Sequence, residues 1–99
     1  MKVLFVFLAL AVLTASAGHL ELCGFNTQKL ARVTLCIELK ASKELRLTLA
    51  KARYGENCLT DICLFRKLCE QGELGETLKT YLTDEEIEEL HEIAEECER

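Results

Sequence analysis

Two histidines and six cysteines are the residues of this 99-residue chain whose types and positions suggest chemistry beyond packing. His19 follows a run of small residues that ends at Ala17, and His91 stands near the C-terminus with Glu88 three residues before it and Glu95 four residues after. In a chain that begins Gly18-His19-Leu20, the free amine, the His19 amide nitrogen and the His19 imidazole can close two fused chelate rings on one metal ion. Three nitrogens in a plane suit copper(II), which prefers tetragonal nitrogen donors and stands above its divalent neighbours in the Irving–Williams order. His91 is the candidate for the fourth donor, with Glu88 and Glu95 one helical turn away on the same face. The plainer alternative is a solvated terminal histidine and a half-buried helix histidine bonded to a carboxylate.

The chelating start exists if the leader is removed after Ala17. Lys2, the apolar stretch from Val3 to Leu13 and the small residues Thr14, Ala15, Ser16 and Ala17 form a secretory signal peptide over residues 1–17. Its apolar stretch is shorter than the roughly 20 residues a spanning helix needs. Cleavage after Ala17 leaves residues 18–99 as one secreted, extracellular domain of 82 residues. At that size a core rarely supplies more than about 3 to 5 kcal/mol, so covalent staples are expected.

Cys23, Cys36, Cys58, Cys63, Cys69 and Cys97 all lie in the exported part, where an even count implies three disulfides. No C-x2-C pair suggests a thiolate metal site. With the thiols oxidised, cysteine nucleophile chemistry is not expected. No G-x-S-x-G or H-E-x-x-H occurs either, and the chain is read as a non-enzyme.

The formal charge is −5, and it is unevenly spread. Residues 18–69 carry nine basic and five acidic side chains, whereas residues 70–99 carry two and twelve. A net acidic protein is not expected to bind nucleic acid or to associate stably with an anionic membrane, since both select positive charge. A monomer is expected.

The elements that must position these residues are helical. There is no proline, and Gly24, Gly55, Gly72 and Gly75 separate stretches with three- and four-residue apolar spacing. A first helix is predicted over 28–40, capped by Asn26 or Thr27. A second follows Ser42 and runs to Tyr54, with Gly55 as its left-handed terminator. A third spans 60–71, and a short fourth spans 75–81. The last starts at Thr83, which forms a capping box with Glu86 and is flanked by the staple Leu82 and Ile87, and it buries Ile87, Leu90, Ala94 and Cys97. The expected fold is all-α, a small bundle of about five short helices stapled by three disulfides.

On one helix Cys58 and Cys69 would be about 16 Å apart and Cys63 and Cys69 about 9 Å. A bridge needs Cα atoms within roughly 7 Å, so both pairings are excluded. Cys58 with Cys63 is disfavoured unless Cys58 lies in the loop before the helix. Each of these three then pairs with Cys23, Cys36 or Cys97, which leaves six connectivities and makes the third helix a hub.

The spacing C-x12-C-x21-C-x4-C-x5-C-x27-C resembles the microplusin and hebraein family of tick antimicrobial proteins. The resemblance is carried also by E-L-C at 21–23, N-C-L at 57–59, F-R-K-L-C at 65–69 and L-T-D-E-E-I-E-E-L-H at 82–91. It implies a secreted protein that withholds copper from microbes. Carried over, the family's copper donors fall on Gly18, which stands where the family has histidine, on His19 and on His91. The alternative is a metal-independent salivary or haemolymph binding protein that holds a protein partner or a small apolar ligand on the same scaffold. Protease inhibition through Arg53-Tyr54-Gly55 is a third reading.

Overall fold

The computed structural model describes residues 21–99. The leader expected over 1–17 and the candidate ligands Gly18 and His19 lie outside the described residues. A 3-10 turn over Glu21–Gly24 leads into α1 (Thr27–Lys40), α2 (Lys43–Gly55), α3 (Asp61–Gln71), α4 (Leu74–Thr77), a second 3-10 turn (Leu78–Thr80) and α5 (Asp84–Glu98). The described residues hold no strand.

Each long helix starts where a short polar side chain can satisfy an amide that the helix leaves unbonded. Asn26 Oδ1 accepts from the Lys29 amide at 2.8 Å, which settles the choice between Asn26 and Thr27. Ser42 and Thr60 act in the same way on Leu45 and Cys63. The capping box forms as expected: Glu86 N donates to Thr83 Oγ1 at 3.1 Å, and Thr83 N donates to Glu86 Oε1 at 2.9 Å.

Two turns differ from the sequence expectation. The left-handed residue that ends α2 is Asn57, with φ 61°, two positions after Gly55. Asn57 N donates to Tyr54 O and Cys58 N to Arg53 O, the paired bonds of a Schellman motif, and asparagine tolerates the left-handed region well enough to close it. Gly55 serves a close approach. A Cβ there would stand 2.9 Å from Tyr81 Cε1 and 3.0 Å from the Tyr81 hydroxyl oxygen. The predicted fourth helix is likewise split, because after Thr77 the chain tightens into the 3-10 turn that delivers Tyr81 to this contact. Gly55→Ala is expected to lower the melting temperature by several degrees. Overpacking against the ring costs roughly 1 to 3 kcal/mol, against a gain of about 1 kcal/mol in helix propensity.

The core is one cluster that takes in Leu30, Val33 and Ile37 of α1, Leu90 and Ala94 of α5, and Leu64, Phe65 and Leu68 of α3, with α1 packed on both α5 and α3. Leu22 of the leading turn is also fully buried in it. Phe65, the largest fully buried side chain, anchors α3.

The disulfides depart from the hub arrangement. Cys36 pairs with Cys97, Cys23 with Cys69 and Cys58 with Cys63, with Cα separations of 5.8, 5.7 and 5.6 Å. Cys58 precedes α3 in the loop between Asn57 and Thr60, the one placement in which its pairing with Cys63 is not disfavoured, and that pairing forms. The pair closes that loop on itself. The strap between Cys36 and Cys97 joins α1 directly to α5, and α3 ties only the leading turn.

Candidate metal site

His91 stands on α5 between the buried residues Leu90 and Ala94, with its own side chain 20% exposed. Its Nε2 lies 3.2 Å from Glu95 Oε2, the partner one turn further along the helix. A carboxylate on one ring nitrogen fixes the orientation of an imidazole, an arrangement that commonly supports a metal-bound histidine. Glu88, one turn before, is exposed.

The other expected donors, Gly18 and His19, lie outside the described residues, but the anchor of the segment that carries them is visible. Leu22 is buried in the core that also takes in Leu90 and Ala94, the neighbours of His91. Cys23, next to it, is tied to Cys69 at the end of α3. Three residues of chain span at most about 10 Å, so His19 is tethered within that reach of Leu22. Among the described residues no group of three histidine, cysteine or acidic side chains is placed to hold a metal ion. All six cysteines are oxidised, so a metal at His91 would draw on nitrogen and oxygen donors from the leading segment. Imidazole and amide nitrogens suit copper(II) better than calcium or magnesium, which take oxygen donors.

The acidic face of α5 is read from sequence as solvated, and two of its carboxylates do more than that. Glu89 accepts from the Ser42 amide at 3.0 Å and from the Ser42 hydroxyl at 3.1 Å, so it extends the N-terminal cap of α2. Glu86 accepts from the Thr48 hydroxyl at 2.7 Å while closing its own capping box. Bonds from the Thr83 backbone amide and then the Thr48 hydroxyl hold the Glu86 carboxyl below the usual carboxylate range. Helical spacing marks these residues as polar but cannot say which face a neighbouring helix N-terminus.

The second polar cluster escaped the sequence reading. Arg53 of α2 places its Nη1 on Asp61 of α3 and 3.4 Å from Glu38 of α1, linking three helices. Asp61 is 93% buried, and Glu38, hydrogen-bonded to it, is raised to about 7 by that bond and by burial. Arg53 is therefore not the scissile residue of an inhibitory loop: it lies inside α2 with its guanidinium engaged. A third cluster gathers at Glu56, which accepts from the Tyr81 hydroxyl and from Gln71 Nε2 at 2.9 Å. The hydroxyl bond first, then Gln71, lowers the Glu56 carboxyl, and the same bond raises the Tyr81 phenol.

The family described as microplusin antimicrobial peptide matches residues 23–97, from the first cysteine to the last. An antimicrobial peptide microplusin of Ixodes scapularis is 38% identical over 98% of this chain and 82% of its own length. Those of Argas monolakensis and Rhipicephalus microplus are 36% and 35% identical, over 91% and 98% of this chain and 80% and 91% of their own lengths. No solved structure matches the chain. A match that spans the whole cysteine framework, joined to an all-helical fold with three disulfides, establishes that the chain belongs to the microplusin family of antimicrobial peptides.

Proposed function

We propose that the protein is a secreted antimicrobial that acts by sequestering copper(II). Removal of the leader after Ala17 frees the Gly18 amine, which joins the His19 amide nitrogen and imidazole as three donors, and His91 supplies the fourth. Copper(II) would bring its preference for in-plane nitrogen, and the chain's part is to hold the donors and orient them. The observation that carries this reading is the burial of Leu22 in the same core cluster as Leu90 and Ala94, which anchors the segment that follows Gly18 and His19 to the body that carries His91. The Glu95 carboxylate on His91 Nε2 supports it by orienting the ring. The acidic charge of the α5 surface favours accumulation of a cation and disfavours lysis by a cationic mechanism.

Isothermal titration of residues 18–99 with copper(II) is expected to give one saturable site. His91→Ala is expected to weaken it at least about tenfold, the usual scale for losing a ligand or its support. Acetylating the Gly18 amine should weaken it further. Heat without saturation, or a wild-type isotherm for the His91 variant, excludes this site. Mass spectrometry of the native N-terminus must show Gly18 as the first residue, because the chelate depends on that amine.

A further inference from the structure

The net acidic charge hides a surface of the opposite sign. α1 and α2 together carry seven lysines and arginines and two glutamates, and Glu38, one of the two, is already engaged by Arg53. Within Asp84–Glu98 there are nine acidic residues and no lysine or arginine. The sides of α1 and α2 turned away from the core also expose large apolar side chains, with Leu35, Leu39 and Leu47 at 63, 76 and 55%. On α1, Leu35 and Leu39 lie three and seven residues after exposed Arg32, and on α2 Leu47 lies four after exposed Lys43, so each helix presents cation and leucine on one face. Arg46 joins the two helices. Its guanidinium reaches back over the turn to the carbonyls of Glu38 and Ala41, beside Leu39.

We propose that this outer surface of α1 and α2 is a docking face for an anionic phospholipid bilayer, with Leu35, Leu39 and Leu47 entering the acyl boundary and Arg32, Lys43 and Arg46 facing lipid phosphate. Charge complementarity selects the occupant. Exposed leucines alone would suit many partners, but leucines interleaved with cations on a helical face match the apolar-under-anionic layering of a bilayer surface. Glu44 is exposed beside Lys43 and is outnumbered by the seven cations of α1 and α2. The exposed stripe of Glu85, Glu88, Glu92 and Glu95 lies on the side of α5 away from its buried Leu90 and Ala94. Charges more than a Debye length apart, roughly 8 Å at physiological salt, are largely screened, so carboxylates on the far side of α5 bear weakly on the outer side of α1. Lys40, paired with Glu96, marks the seam between the two faces. Attachment is peripheral, since no described helix is long and apolar enough to cross a membrane.

The inference is independent of copper, and its test uses metal-free protein. Residues 18–99 are floated with vesicles of equal parts phosphatidylglycerol and phosphatidylcholine, and with pure phosphatidylcholine. Binding to the anionic vesicles is expected to be at least about tenfold tighter and to fall as salt is raised. Arg32→Gln with Lys43→Gln should weaken it by roughly fivefold per cation removed. Leu35→Ser with Leu39→Ser should weaken it at least about tenfold, and these exposed sites leave the core intact. Glu88→Gln with Glu92→Gln should leave it within about twofold, because these carboxylates lie on the side of α5 turned away from its buried residues. Equal affinity for the two vesicles, no flotation with either, or wild-type binding by both outer-face variants would overturn the proposal.

Discussion

Replacing Cys36 and Cys97 together by serine is expected to lower the stability of the helical domain by about 4 kcal/mol, close to all that the core of such a small domain can supply. The bridge spans 61 residues, and a cross-link is worth more the longer the loop it removes from the unfolded ensemble. On the same reasoning the Cys23–Cys69 pair, separated by 46, is worth nearly as much, and the Cys58–Cys63 pair, separated by 5, about 2 kcal/mol. Urea denaturation of the three double-serine variants should therefore rank them in this order, with the Cys36/Cys97 variant largely unfolded at body temperature. A ranking in which Cys58/Cys63 costs most would mean that α3 is the hub after all. The strap also bears on the candidate metal site, since Cys97 closes the helix that carries His91.

Arg53→Met is the second large effect, at about 3 kcal/mol, because it leaves the Asp61 carboxylate buried with no cation. The positive end of α3 still favours an acidic residue in its first turn, which limits the loss. If the cost is an unpaired buried charge, then adding Asp61→Asn to Arg53→Met must recover much of it; if it is lost packing of the arginine stem, the second change will add to the damage. Glu38 makes this cluster sensitive to pH. Its carboxyl is raised from 4.5 to about 7, first by the hydrogen bond to Asp61 and then by burial. Below pH 4.5 both folded and unfolded chains hold the proton and the contribution is fully present. Between 4.5 and 7 the unfolded chain releases it while the folded chain keeps it, so rising pH favours unfolding until the contribution is gone above about 7. Glu56 and Glu86, both lowered, act in the opposite sense: their stabilisation is present above the ordinary carboxylate range and is lost as the pH falls below it. The urea midpoint should thus decline from mildly acidic to neutral pH, and Glu38→Gln should flatten that decline.

The helices were legible in the sequence because each is specified within its own few residues. Asn26, Ser42, Thr60 and Thr83 sit one residue before the elements they cap, and Leu30, Val33 and Ile37 or Leu90 and Ala94 repeat with the pitch of a helix. Cysteine parity, in a chain read from its leader as exported, likewise implied three bridges without any knowledge of the fold. Partner choice is another matter, since it depends on where whole elements lie. That Cys36 meets Cys97 follows from α1 packing on α5, and that Cys58 can turn back to Cys63 follows from a left-handed Asn57 that keeps Cys58 out of α3. Glu89 on Ser42, Arg53 between Glu38 and Asp61, and the separation of a basic α1–α2 face from an acidic α5 face are long-range facts of the same kind. Sequence determines the elements of this protein because hydrogen bonds within a turn are local; only the tertiary structure decided its cross-links and charged surfaces, because those depend on which helices share a core.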